Sequence, residues 1–267
     1  MPLPLADYHT HTPLCLHAEG TPLEYAQHAK EVGLAEIGFS DHNPMPEFLD
    51  DWRMPIQDLP SYIDQIVQTR EEMAPFPVKI GLECDYLETQ TAWIDTLATR
   101  FSWDYLIGAV HYIAPGWDVD NPKWIGRFTS DSVEDIWVLY FSKLEACIRT
   151  RRFDLIAHAD LVKKFGHRPA GDLRRFYDPI IEAALETGVA MEVSTAGLRK
   201  PVNEMYPSLL FLEQMKAANI PISISSDAHA PAEVGADFDQ AFEMIRSLGF
   251  TSTVRFNGRT RHLVPLE

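Results

Sequence analysis

The residues with most chemical reach in this chain are histidines and carboxylates at the ends of apolar runs. His9-Thr10-His11 and Asp227-Ala228-His229 each place two ligand-type side chains two positions apart. In extended backbone such residues point the same way, so each pair can reach one cation. A lone HxH is a weak signal; two such pairs at opposite ends of the sequence are a stronger one. Glu83, in GLECD, offers two oxygens and can bridge two ions. Alone it reads more readily as the partner of an Arg or Lys; alongside the histidines the bridge is favoured. His111 and His158 each end an apolar run, with a hydrogen-bonded rim histidine as the plain alternative. His42 follows Asp41, and His17 lies in the loop HTPLCLHAEG; these two suit a further ion or the positioning of substrate. The set His9, His11, His17, His42, Glu83, His111, His158, Asp227 and His229 exceeds the three or four protein ligands that one zinc takes. Two to three divalent ions are therefore expected, and nitrogen and oxygen donors without thiolate suit Zn, Mn or Fe.

These residues need strands to hold them. Seven apolar runs end at or near them: Leu5 to His11, Ala35 to His42, Val78 to Asp85, Tyr105 to Tyr112, Asp154 to Asp160, Val189 to Thr195 and Pro221 to His229. A helical pattern follows each. Thr21-Pro22-Leu23-Glu24 opens one helix with an N-cap, a proline at the first position and a capping-box glutamate. Leu59 to Met73 carries an apolar stripe at Ile63, Ile66 and Val67. Gly188 and Gly249 close later helices. Repeated strand–helix units with polar strand exits predict an α/β barrel with its chemistry at one face. A length of 267 residues suits a single barrel over 1–267. Thr251 to Phe256 reads either as an eighth strand or as a closing segment. Barrel closure would make neighbours of the first and last strand exits. Two long loops, 43–57 and 113–130, stand out, the second with Trp117 and Trp124; each is a candidate wall or lid.

The net charge of −16 argues against a nucleic-acid or membrane partner, since both present negative charge. Three scattered cysteines, Cys15, Cys84 and Cys147, favour a reducing compartment. Cys15 and Cys84 lie near the ligand candidates and read as packing residues before nucleophiles. No segment has the pattern of a signal peptide or the length to span a bilayer, so a cytoplasmic location is expected. There is no GxSxG elbow, no Walker loop and no HExxH helix.

HTH near the N-terminus, CxHAxG, SDHNP, GLE, GAVHY, AHAD and SDAH together resemble the polymerase-and-histidinol-phosphatase (PHP) metallophosphoesterases. The stretch MEVSTAGLRKP, with EMYPS after it, is closest to the histidinol-phosphate phosphatase branch, although Ser194 stands where that branch often carries Asn. The resemblance covers nearly the whole chain. It implies a distorted, TIM-like (β/α)7 barrel with metals at the C-terminal ends of the strands. It also implies a partition: His9, His11, Glu83 and Asp227 for one ion, Glu83, His111 and His158 for a second, and His17, His42 and His229 for a third. The activity implied is hydrolysis of a small phosphomonoester by a metal-activated hydroxide, with histidinol phosphate as substrate. A phosphate dianion needs cations as well. Arg199 is the leading clamp, because a guanidinium matches phosphate geometry; Lys163, Lys164 and Arg168 are weaker candidates, and Trp117 is a possible substrate contact. For protonation of the leaving group, Asp41, His42 and a metal-held water all remain open. Asp7 and Asp160 are expected to orient ligand histidines.

Overall fold

The structure, a computed structural model, describes residues 5–266; residues 1–4 and 267 of the expected barrel span lie outside the described residues. Along the chain, β1 (Ala6–Asp7) is followed by α1 (Pro22–Glu31), and β2 (Glu36–Phe39) by α2 (Leu59–Met73). β3 (Val78–Ile80) and β4 (Glu83–Asp85) precede α3 (Thr91–Ala98). After β5 (Ile107–Ala109) come a hairpin of β6 (Tyr112–Ala114) and β7 (Trp117–Asp118), a short α4 (Arg127–Ser130) and α5 (Val133–Arg149). β8 (Leu155–Ile156) leads to α6 (Arg174–Thr187), β9 (Ala190–Ser194) to α7 (Leu209–Ala217), and β10 (Ile222–Ser225) to α8 (Phe238–Ser247). β11 (Ser252–Asn257) and β12 (Thr260–Pro265) end the described chain.

The strands form two parallel arcs, β1-β2-β3 and β4-β5-β8-β9-β10. β3 and β4 are halves of one apolar run, so the arcs join into the seven-stranded barrel that the sequence predicts. The run breaks at Gly81 and Leu82, its first half pairing with β2 and its second with β5. Glycine is required at the break: a Cβ on Gly81 would lie 2.7 Å from Tyr105 O and 2.7 Å from the Tyr105 ring. The barrel closes between its first and last strands. His11 N donates to Ala228 O at 2.9 Å, and Ala228 N to His9 O at 3.2 Å.

Local sequence accounts for the helices. At α1 the capping box is present, Thr21 N donating to Glu24 Oε2 at 2.6 Å and Glu24 N to Thr21 Oγ1 at 3.3 Å. α2 buries Leu59, Tyr62, Ile66 and Met73 on one face. Alternation along the strands sorts the core into two layers. Ile107, Ala109, Leu155 and Ala157 join the cluster inside the barrel, while Leu106, Val110 and Ile156 join the larger layer under the helices. The final hairpin is a closing segment and not an eighth barrel strand: β11 pairs antiparallel with β12, and Val254 and Phe256 plug the barrel beside Tyr8 and Tyr105. Among the described residues no helix is long and apolar enough to cross a membrane.

Candidate active site

The expected ligand residues come together at the C-terminal ends of the strands, around Glu83. The two oxygens of Glu83 face different histidines. Oε2 lies 3.3 Å from His9 Nε2, 3.7 Å from His11 Nε2 and 2.8 Å from His42 Nδ1. Oε1 lies 3.0 Å from His158 Nε2 and 3.7 Å from His111 Nε2. Asp227 Oδ1 is 3.2 Å from His11 Nε2 and 3.6 Å from His9 Nε2. The rings of His17, His42 and His229 gather on the solvent side, each offering one nitrogen within 4.8 Å of the others. His158 and Asp227 reach inward from left-handed backbone, with φ of 22° and 52°. Backbone of that kind is costly in non-glycine residues and persists where the surroundings enforce it.

The groups that aim the imidazoles differ from those expected. Glu192 is fully buried in β9; its Oε1 sits 2.8 Å from His9 Nδ1 and its Oε2 accepts from His158 N at 2.8 Å. Asp85 Oδ1 sits 2.7 Å from His111 Nδ1, and Arg53 donates to Asp85 Oδ2 at 2.7 Å. Carbonyls hold two others: Cys15 O is 2.7 Å from His17 Nδ1 and Asp227 O is 3.1 Å from His229 Nδ1. Asp7 and Asp160 touch no imidazole. Asp7 accepts from the Ser226 and Gly235 amides, and Asp160 accepts from Ser208 N and pairs with Lys163. Asp41, one candidate proton donor, is turned onto Thr12, accepting from its amide and hydroxyl, each at 2.5 Å. Burial pushes its carboxyl up to about 7. It stands behind His11, whereas His42 lines the cavity.

The arrangement leaves lone pairs without partners. Among the described residues, His9 Nε2, both ring nitrogens of His11, Glu83 Oε2 and His229 Nε2 are buried without a hydrogen bond. Buried polar atoms are nearly always paired, so a convergent group of this kind is suited to cations. Protonation divides the imidazoles: against the burial that opposes its charge, the carboxylates Glu192, Glu83 and Asp227 raise His9, whereas three others are lowered. Burial depresses His11 and His229, and takes His42 down to about 3, keeping all three in the neutral form that donates to metal. At Glu83 burial opposes ionisation, but His9, His42 and His111 outweigh it and hold the carboxyl well below its usual range. Burial also disfavours charge on His111, yet Asp85 and Glu83 raise it to about 10.

A cavity of about 430 Å³ opens above the cluster. Loop 43–57 supplies Trp52, which stands edge-on to His42 at 4.6 Å and to His111 at 5.5 Å. Loop 113–130 supplies Asp118, Asp120, Asn121 and Pro122. Trp117 itself is buried beneath the Arg127 guanidinium and does not line the cavity. Of the proposed cations, Lys164 lines it, paired with Asp120 at 2.9 Å; Lys200, which the sequence reading did not single out, also lines it, without an ion pair among the described residues. Lys163 is instead fully buried on Asp160, Glu204 and Met205 O, because its position on the turn after β8 points it into the protein. Arg168 is exposed and paired with Glu204, away from the cavity. Arg199, the expected clamp, does not line the cavity: it donates to Ser226 O at 2.6 Å and pairs with Glu233 at 3.7 Å and Asp237 at 3.9 Å. Ser194, the departure from the branch pattern, is buried and bonded to Ala196 N at 3.3 Å.

The signals for the residues missed are uneven. Glu192 is a carboxylate inside an apolar strand, and Asp85 repeats the two-residue spacing from Glu83; both were visible. Arg53, Trp52 and Lys200 sit in loops with no periodicity to mark them.

A parallel barrel carrying a histidine–carboxylate cluster at the carboxyl ends of its strands defines a class, the TIM-like metal-dependent enzymes. The comparisons narrow this. A family model described as PHP domain matches residues 7–196. A Deinococcus radiodurans protein named "Probable histidinol-phosphatase" is 39% identical over 257 residues, covering 96% of this chain and 97% of that protein. The histidinol-phosphatase of Bacillus subtilis is 26% identical over 265 residues, covering 89% of this chain and 98% of its own. Among solved structures, the histidinol phosphate phosphatase of Lactococcus lactis, in complex with Zn, L-histidinol and phosphate, superposes with a TM-score of 0.81 at 21% identity, covering 97% of this chain and 99% of that one. The chain belongs to the PHP family.

Proposed function

We propose that this protein is a metal-dependent phosphomonoesterase that converts L-histidinol phosphate and water to L-histidinol and phosphate. One observation carries the reading: side chains from six strand exits converge on Glu83 with buried, unpartnered lone pairs beneath an open cavity. The relative that is 39% identical along nearly the full length, and named for this activity, supports the substrate.

In this reading His9, His11, Glu83 and Asp227 hold one ion, Glu83, His111 and His158 a second, and His17, His42 and His229 a third. The groupings of donor atoms His9–His11–Glu83, Glu83–His111–His158 and His17–His42–His229, each within 4.8 Å, follow the partition, while His9–His158–Asp227 and His11–Cys15–His229 cross it. Zn, Mn and Fe all suit these donors. Such ions supply Lewis acidity, neutralising phosphoryl charge and lowering the pKa of water. The chain's own residues do the rest. Glu192 and Asp85 fix the imidazole orientations. Lys164 and Lys200 face the phosphate, and Arg199, whose guanidinium pairs with Glu233 and Asp237 at 3.7 and 3.9 Å, stands behind them. Asp118 and Asp120, which also line the cavity, give the cationic amine of the substrate a counter-charge. Loops 43–57 and 113–130 wall the site against water, and 430 Å³ is the size of a small-ligand pocket.

The test is phosphate release by metal-loaded enzyme from L-histidinol phosphate, against other phosphomonoesters, nucleotides and short single-stranded DNA. Preference for histidinol phosphate is expected, lost with chelator and restored by added Zn, Mn or Fe. Equal turnover across the panel would leave only a general phosphomonoesterase. Full activity without metal would overturn the reading.

A further inference from the structure

The segment after β9 combines two sequence features that the metal cluster does not use, TAGLRKP and EMYPS. Together they place Tyr206. The residue is pinned at the end of β9, its amide donating to Ser194 O at 3.0 Å and its carbonyl accepting from Ser194 N at 2.6 Å. Gly197 allows the chain to return this closely, since a Cβ there would lie 2.0 Å from Glu204 O and 3.1 Å from Tyr206 Cε2. On one side the Lys163 ammonium stands 5.4 Å from the ring centroid, itself fixed by Asp160 at 3.0 Å and Glu204 at 2.6 Å. On another the His158 ring meets it edge-on at 6.4 Å. The ring is therefore held rigidly beside a proposed metal ligand, and the residue lines the cavity.

Its hydroxyl is the anomaly. Buried tyrosines elsewhere spend theirs on protein acceptors: Tyr62 on Gly81 O, Tyr105 on Tyr8 O, Tyr140 on His158 O. Only Tyr25 and Tyr206, among the described residues, bury a tyrosine hydroxyl with no hydrogen-bond partner, and Tyr25 does not line the cavity. A buried donor left unpaired is costly, and at a site for a ligand the missing partner is the ligand. We propose that Tyr206 is a substrate-binding residue whose hydroxyl donates a hydrogen bond to a phosphoryl oxygen of the bound phosphomonoester. Burial, with Asp160, Asp120 and Asp227 nearby, keeps the phenol protonated and so a donor throughout the working range. A neutral donor has an advantage here: it adds no charge to a pocket already holding Lys164 and Lys200. The inference rests on the phosphatase reading for the identity of the ester, but the contact it names is to phosphate itself.

Tyr206→Phe and, as a control, Tyr25→Phe separate the possibilities, with inorganic phosphate as the probe. In metal-loaded Tyr206→Phe, the dissociation constant for phosphate and the loss in kcat/KM on histidinol phosphate should both reach roughly 10- to 100-fold. Metal content should match wild type, and the melting temperature should be equal or higher, since no protein hydrogen bond is lost. Tyr25→Phe should change neither phosphate affinity nor kcat/KM. Wild-type phosphate affinity in Tyr206→Phe would overturn the proposal. So would a fall in affinity accompanied by lost metal and a lower melting temperature, which would make the residue structural. If wild-type enzyme binds phosphate but fails to hydrolyse histidinol phosphate, the phosphatase reading fails, and the Tyr206 contact is still decided by phosphate affinity alone.

Discussion

The two ends of the barrel bury polar groups in opposite ways. At the floor, each has its partner. The Tyr105 hydroxyl donates to Tyr8 O and Phe39 O, at 2.7 and 2.9 Å. Asp104 accepts from Arg70 at 2.7 Å and Ile80 N at 3.0 Å, and Asp154 from Arg259 and Leu106 N, each at 2.8 Å. Tyr8 donates to Glu36 and accepts from Phe256 N. At the mouth, imidazole nitrogens and a carboxylate oxygen point at one another without hydrogen bonds, and two of the residues sit on left-handed backbone. Paired burial stabilises a fold, whereas unpaired burial is a standing cost that a bound cation removes. The floor is thus built for the folded chain alone, and the mouth for the folded chain with its ions.

The hardest blow to that contrast falls on Glu83. Glu83→Gln keeps the shape but removes the negative charge that two groups of histidines share. We expect on the order of 10³-fold loss of phosphatase activity, since the ions supply several kcal/mol of transition-state stabilisation. Elemental analysis should show at least one ion fewer per chain, while circular dichroism of the metal-free protein stays that of wild type. Full metal content in this variant would mean that Glu83 bridges nothing, and the partition would fall.

A gentler intervention is Glu192→Gln. The native carboxylate serves His9 and His158 N with one oxygen each. The amide replaces one acceptor with a donor, so one of the two contacts becomes repulsive. Metal affinity measured by chelator competition should weaken about 10- to 100-fold, the usual cost of losing a group that orients a metal-bound histidine. Affinity equal to wild type would show that the barrel alone, without Glu192, fixes these rings.

The same contrast explains what the sequence disclosed. Barrel, helix ends and ligand candidates were legible because each follows a local rule: alternation within strands, capping at Thr21, ligand-type residues where apolar runs stop. The strands proved much shorter than the runs, β1 covering only Ala6–Asp7, because the ligands continue beyond the last ladder bond. The break at Gly81 was hidden, since it depends on Tyr105, distant in sequence, filling the barrel. Cations were the poorest guide. Lys163 and Lys164 are adjacent, yet one is sealed on Asp160 and the other opens to the cavity. No periodicity distinguishes neighbours on a turn; only the path of the chain after β8 does. Trp117 misled in the same way, its loop lining the cavity with Asp118 and Asp120 instead.

The smallest effect is expected at the floor, where Glu36 tests whether pairing there depends on charge. Burial raises its carboxyl above the usual value, against the lowering from the Tyr8 hydrogen bond. A carboxyl raised in the folded state favours folding when protonated. That contribution is complete below the unfolded-state value, about 4.3, and is lost as pH rises through the folded one. Glu36→Gln stays neutral in both states and keeps an oxygen to accept from Tyr8. Its melting temperature should therefore exceed that of wild type slightly at pH 8, and the advantage should vanish towards pH 4. The titrating groups at the mouth are common to both proteins and cancel in the difference. Metal content and kcat should not move. An advantage that is independent of pH would mean that Glu36 titrates alike in the folded and unfolded chain, and that burial at the floor puts no penalty on its charge.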